Sequence, residues 1–213
     1  GIAMALLAGG LSVFVVGRRL AFVGQGVSHT AFGGVGVAAV LGLTEAGMLT
    51  PGGYALVGAF CVMSALQIWI GAVREVHRED TQIGVVLVAS MALGMILMNH
   101  ASAVRPGARL PSFESVLFGS FLGIGVSDAI VSWIVSAVVL IVVYAMRRRL
   151  VFVVFDEVGA EASGVRAVWV RAALMSALAV SIVLVMKLAG VVLASALLVL
   201  PGATSMSMVR RLR

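Results

Sequence analysis

"VGQGVSHTAFGGVG" occupies residues 23–36, inside a run otherwise apolar enough to cross a bilayer. Within it Gln25 and His29 stand four residues apart, and Gly33 and Gly36 continue the same face if the run is helical. Polar side chains at membrane depth are costly unless they face a bundle interior or a water path. Glycines, in turn, let a second backbone approach closely. The stretch therefore predicts a helix that lines something polar inside a membrane-embedded bundle.

Composition sets the same frame. Of 213 residues 62% are hydrophobic and 11% charged, more apolar surface than a soluble domain of this size can bury. Runs of about 20 apolar residues separated by short charged loops predict an all-α polytopic membrane protein. Seven spanning helices are expected, at about 1–17, 22–43, 53–73, 81–99, 127–146, 167–186 and 188–209. Lys187 and Gly190 mark the tight reversal between the last two, and "TEAGMLTPGG" (44–53) supplies the turn between the second and third. The chain opens on Gly1 within an apolar run, so residues 1–213 are expected to form a single transmembrane domain that is incomplete at both ends.

The net charge of +6 does not point to nucleic acid, because the basic residues fall at the ends of apolar runs. Arg18, Arg19, Arg74, Arg78, Arg147 to Arg149, Arg166, Arg171, Arg210, Arg211 and Arg213 share one side. Arg105, Arg109 and Lys187 fall on the other. This bias puts the larger group, and the C-terminus of the chain, in the cytoplasm.

Two connections exceed simple turns. The outer one, 100–128, contains "SVLFGSFLGIG", too short to span and expected to form a re-entrant or interfacial helix. The inner one, 147–171, contains "FDEVGAEASGV", with acids at its start and Gly164 near its end, which predicts a short amphipathic helix on the cytoplasmic face.

Imidazole is the commonest protein ligand for transition metals, and an amide oxygen can share an ion with it. His29 and Gln25 are thus candidate ligands, although one more must come from elsewhere; the other role open to His29 is a hydrogen bond to a neighbouring helix. His100 reads as an interfacial cap beside Asn99, and His77 as a solvated residue. Glu45, Glu114 and Asp128 are the outer carboxylates and could concentrate cations at a mouth. Cys61, the only cysteine, excludes an intrachain disulfide and a thiolate cluster. Enzyme signatures such as HExxH, GxSxG and a Walker-type glycine loop are missing, so energy for any pumping must come from a partner.

"VFVVGRRLAFVGQGVSHTAFGGVGVA", "EDTQIGVVLVASMALGMIL", "LFGSFLGIGVSD" and "AGVVLASALLVLPGATS" resemble, in that order, the permease subunits of zinc- and manganese-type metal ABC importers. The resemblance implies a bacterial inner-membrane permease that carries Zn²⁺ first and Mn²⁺ second and has no permanently bound cofactor. It also implies a second permease copy, cytoplasmic ATP-binding subunits and an extracytoplasmic metal-binding protein as partners. The family's polar pair falls on Gln25 and His29, where many relatives have Asp at the first position. The family's coupling helix falls on Asp156, Glu157, Ala160, Glu161, Ala162 and Gly164. Two alternatives are a permease for an iron chelate or small cofactor, and an intramembrane metalloenzyme using His29 and His100.

Overall fold

The structure is a computed structural model that describes residues 1–17, 21–45, 47–74, 79–107, 109–119 and 125–211, with the side chains of all but 21, 72–74, 79, 155, 157 and 209–211. Eight helices account for nearly all of them: α1 (Ile2–Gly17), α2 (Ala21–Val40), α3 (Pro51–Arg74), α4 (Glu79–Val104), α5 (Phe113–Phe118), α6 (Val126–Phe155), α7 (Glu157–Ala162) and α8 (Ala167–Arg211). All-α is therefore the correct class, with one addition. Between α2 and α3 a minimal hairpin, β1 (Thr44–Glu45) and β2 (Met48–Leu49), pairs Thr44 with Leu49 and Glu45 with Met48. Gly42 and Gly47 stand at φ +75° and +82° on its flank and tip, a region glycine enters without penalty.

Among the described residues four helices are long and apolar enough to cross a membrane: Pro51–Gly71, Asp80–Val104, Val126–Val154 and Ala167–Met208. The α1 helix is apolar but has only 16 residues. The 20 residues of α2 would reach about 30 Å, yet Gln25, Ser28, His29 and its glycines dilute its apolar character.

Helix α2 sits at the centre of the bundle, and glycines decide how. A methyl group added at Gly36 would lie 2.8 Å from the Gly94 carbonyl oxygen of α4, and one at Gly33 would lie 2.9 Å from the Ser90 oxygen. On another side Gly34 lies against Val57 of α3, where an added Cβ would meet Val57 Cα at 3.1 Å. Val27, Ala31 and Val35 are fully buried between these contacts, together with Cys61 of α3 and Leu178 and Ile182 of α8.

The last two expected spans lie within α8, broken at Gly190 (φ +82°, ψ 167°). Met4, near the start of α1, clusters with Val185 and Ala194 on either side of that break. Gly17, at the other end of α1, lies beside Val154 of α6 and Met206 of α8. Met206 thus returns to the end of the bundle from which α8 set out after α7, so the chain reverses at Gly190. Gly119, after α5, packs against this reversal with almost no space between the two backbones, and it too has positive φ (+76°).

One boundary needs correction. The fifth span was expected to stop at 146, but α6 continues to Phe155 and carries Arg147, Arg148 and Arg149 on its surface. Leu150 and Val153 explain the extension, for each is only 2% exposed within the core. Arg147 folds back over the Tyr144 ring, 4.2 Å from its centroid. Arg18, Arg19, Arg78, Arg213, His77 and the 120–124 part of the expected re-entrant helix lie outside the described residues; the first part of that helix is α5.

The glycine contacts predict contrasting effects of added bulk. Gly94→Val should lower the thermal midpoint of the purified full-length protein, by about 1–3 kcal/mol of overpacking cost. Gly58→Ala and Gly84→Ala, where an added Cβ meets nothing within 4 Å, should leave it unchanged or raised.

Candidate metal path and coupling surface

The approach of α4 to α2 determines where the polar pair points. Gly26, Gly33 and Gly36 turn toward α4, Gly34 toward α3, and Gly24 toward Leu178 of α8. Gln25 is left on the remaining open side and is exposed, while His29, one turn on, is half-buried beside it. Both lie in the half of α2 nearer α7. The hydroxyls around them are already engaged by the helix itself: Ser28 Oγ donates to the Gln25 carbonyl (2.8 Å) and Thr30 Oγ1 to that of Val27 (2.7 Å). Among the described residues neither the Gln25 nor the His29 side chain has a hydrogen-bond partner. The hydrogen bond from His29 to a neighbouring helix, the other role open to it, is not found among the described residues.

No three His, Cys, Asp or Glu side chains come together as a metal-holding group among the described residues. His100 is exposed toward the end of α4 nearest the hairpin, and His29 lies toward the opposite end of α2. The structure therefore places one imidazole and one amide side by side on an open face.

The three outer carboxylates are not equivalent. Glu45 is exposed on β1 and Glu114 in the first turn of α5, whose N-cap Ser112 accepts a hydrogen bond from the Ser115 N–H. Asp128, in contrast, is taken up by an internal cation. Its Oδ1 accepts from Lys187 Nζ at 2.5 Å and its Oδ2 from the Gly125 N–H at 3.2 Å. As a free cation-attracting acid it has to be withdrawn, since the lysine neutralises it. Sequence reasoning missed this pair, although a lone lysine between "IVLVM" and "LAG" asks for a partner.

Helix α7 forms as its sequence suggests. Asp156 is the N-cap and accepts from the Gly159 N–H (2.8 Å). At the other end Val165 N–H bonds to the Ala160 carbonyl and Gly164 N–H to that of Glu161, with Gly164 at φ +80°, the Schellman arrangement. Of the residues expected to meet a partner, Glu161, Ala162 and Gly164 are exposed, and the Glu157 side chain lies outside the described residues. Ala160 is fully buried and anchors α7 to the core instead of presenting a surface. Val158, not singled out from sequence, is 80% exposed on α7, and Trp169, in the first turn of α8, is also exposed.

Residues 1–213, the whole chain, match the family model described as the ABC 3 transport family. The chain is 30% identical over 205 residues to a probable metal transport system membrane protein of Thermotoga maritima, covering 96% of this chain and 68% of that protein. It is 31% identical over 197 residues to the manganese transport system membrane protein MntB of a Synechocystis strain, covering 90% and 58% respectively. Its fold matches PsaBC from Streptococcus pneumoniae, solved in complex with a Fab, with a TM-score of 0.76 and 26% identity over 96% of this chain and 69% of that one. The chain belongs to the ABC 3 transport family and is a membrane transport permease, not an enzyme.

Proposed function

We propose that this permease imports a divalent transition metal, Mn²⁺ before Zn²⁺, along a path on which Gln25 and His29 are transient ligands. The observation that carries this reading is the pair itself: two polar side chains on a central helix, without a hydrogen-bond partner among the described residues and turned toward its open side. The name of the Synechocystis relative, a manganese transport system membrane protein, supports naming manganese first. A second copy of the chain, facing the first across the α2 open side, would complete the ligand set. Rapid passage favours a few weak ligands over a closed tetrahedral site, which would hold the ion.

The reading includes seven spans in a bacterial inner membrane, with α1, α2 and each half of α8 counted separately. The α7 end and the C-terminus of this chain face the cytoplasm, as the arginine distribution suggests. ATP-binding subunits dock on α7, where Val158, Glu161 and Trp169 form the exposed surface, and an extracytoplasmic metal-binding protein docks on the hairpin end.

Three measurements test these proposals. His29→Ala should cut metal uptake at least about 10- to 100-fold, the loss that even an outer-shell ligand partner can cause, at unchanged thermal stability. Gln25→Asp should lower the half-saturating Mn²⁺ concentration, with turnover equal or reduced because the ion must also leave. Normal uptake per folded His29→Ala molecule would defeat the metal path.

Orientation is read by labelling single cysteines in intact cells. Glu161→Cys should react only from the cytoplasm and Glu114→Cys only from outside; same-side labelling would reverse or break the topology.

Docking is read by pull-down. Val158→Glu should weaken capture of the ATP-binding subunit and uptake together, without lowering stability. Gly164→Ala should instead destabilise α7 by about 1–2 kcal/mol, since its positive φ is costly for any side chain.

A further inference from the structure

The ion pair at the hairpin end lies apart from Gln25 and His29, and nothing in the transport reading uses it. Asp128 stands in the first turn of α6 and Lys187 in the last turn of α8 before its break. The lysine ammonium also lies over the Tyr54 ring of α3, 4.4 Å from its centroid. Asp128, Lys187, Tyr54 and Ser115 share the lining of one cavity of about 160 Å³ beneath the hairpin, large enough for several waters. The charged side chains remain 22% and 23% exposed, so solvent ions can reach them.

A carboxylate oxygen, a hydroxyl and an aromatic face around a small cavity are groups a cation binds. Here the bound cation is the chain's own ammonium. We propose that Lys187 is a tethered cation filling a divalent-cation site built on the Asp128 carboxylate and the Ser115 hydroxyl, and that it keeps the transported ion from lodging there. Two contacts indicate that the site would outlast the lysine. Asp128 is held independently through Oδ2 by the Gly125 N–H, so its Oδ1 stays in place. Ser115 Oγ spends its proton on the Ser112 carbonyl (2.7 Å), which leaves its lone pairs for a ligand role. An ion pair that only joined α6 to α8 could be replaced by apolar packing at little or no cost in stability. A permease for cations has a further reason to neutralise this acid, because a strong site along the way slows release. The word "transported" rests on the metal-import reading, whereas the cation site does not.

The test counts Mn²⁺ bound to the purified full-length permease complex, from the electron paramagnetic resonance signal of free Mn²⁺. Lys187→Met should bind one Mn²⁺ per chain more than wild type, and Lys187→Arg should match wild type. The extra ion should disappear in Lys187→Met/Asp128→Asn and persist in Lys187→Met/His29→Ala, which separates this site from the Gln25–His29 path. No extra ion in Lys187→Met, or one that survives Asp128→Asn, overturns the proposal. Should Lys187→Met fail to assemble, Lys187→Cys provides the same comparison in folded protein. Aminoethylation of that cysteine restores an ammonium and should release the bound Mn²⁺; equal binding before and after overturns the proposal.

Discussion

The backbones of α2 and α4 touch at Gly33, Gly36 and Gly94 with almost no side-chain atoms between them, and this contact governs the rest of the bundle. Lipid tails are as apolar as leucine, so helices in a bilayer gain little from burying apolar groups against each other. Close packing must supply the adhesion, and small residues permit it. Once α4 occupies one side of α2, with α3 and α8 on two others, the rotation of α2 about its axis is fixed. That rotation leaves Gln25 exposed and His29 half-covered. The glycines behind the polar pair are thus the reason the pair faces outward.

The treatment of other hydroxyls sharpens the contrast. Ser12, Ser28, Thr30, Ser132 and Ser181 each donate to a carbonyl three or four residues back on the same helix. Such back-bonding satisfies a hydroxyl without a second helix, which makes serine and threonine cheap within a membrane. Imidazole and a long amide cannot do this from their positions on α2. Among the described residues Trp69 Nε1 and Ser136 Oγ also lack a partner, but they are enclosed within the protein. Gln25 and His29 differ in being reachable from outside the chain, and only reachable groups can serve an ion or a second subunit.

Much of this could be read from the sequence because it is encoded locally. The polar pair, the glycines behind it, the capped α7 and the break at Gly190 all rest on residues within a turn or two of one another. What escaped depends on distant contacts. Helix α6 outruns its apolar stretch because Leu150 and Val153 find a core that residues 147–149 do not announce. Ala160 looks like one small residue among several in "EVGAEA", and only the packing of α7 on α6 and α8 buries it. The hairpin has two residues per strand, too few for an alternation to register. Asp128 and Lys187 stand 59 positions apart, so the acid seemed free and the lysine seemed a loop residue.

Two of these features, the buried Ala160 and the Asp128–Lys187 pair, sit at opposite ends of the same two helices. Toward α7, the last turn of α6 and the first turn of α8 hold a six-residue helix by its buried Ala160 and its two caps. Toward the hairpin, Asp128 of α6 is bound to Lys187 of α8. Between these points both helices are unbroken, since the only non-helical residue of α8, Gly190, lies beyond Lys187. A push on α7 therefore reaches α6 and α8 together, and the ion pair opposes their parting at the far end. With both ends tied, α6 and α8 are held as a pair, and α1 packs along both at small residues: Gly10 against Leu140, Gly17 against Val154 and Met206, and Ser12 against Gly202.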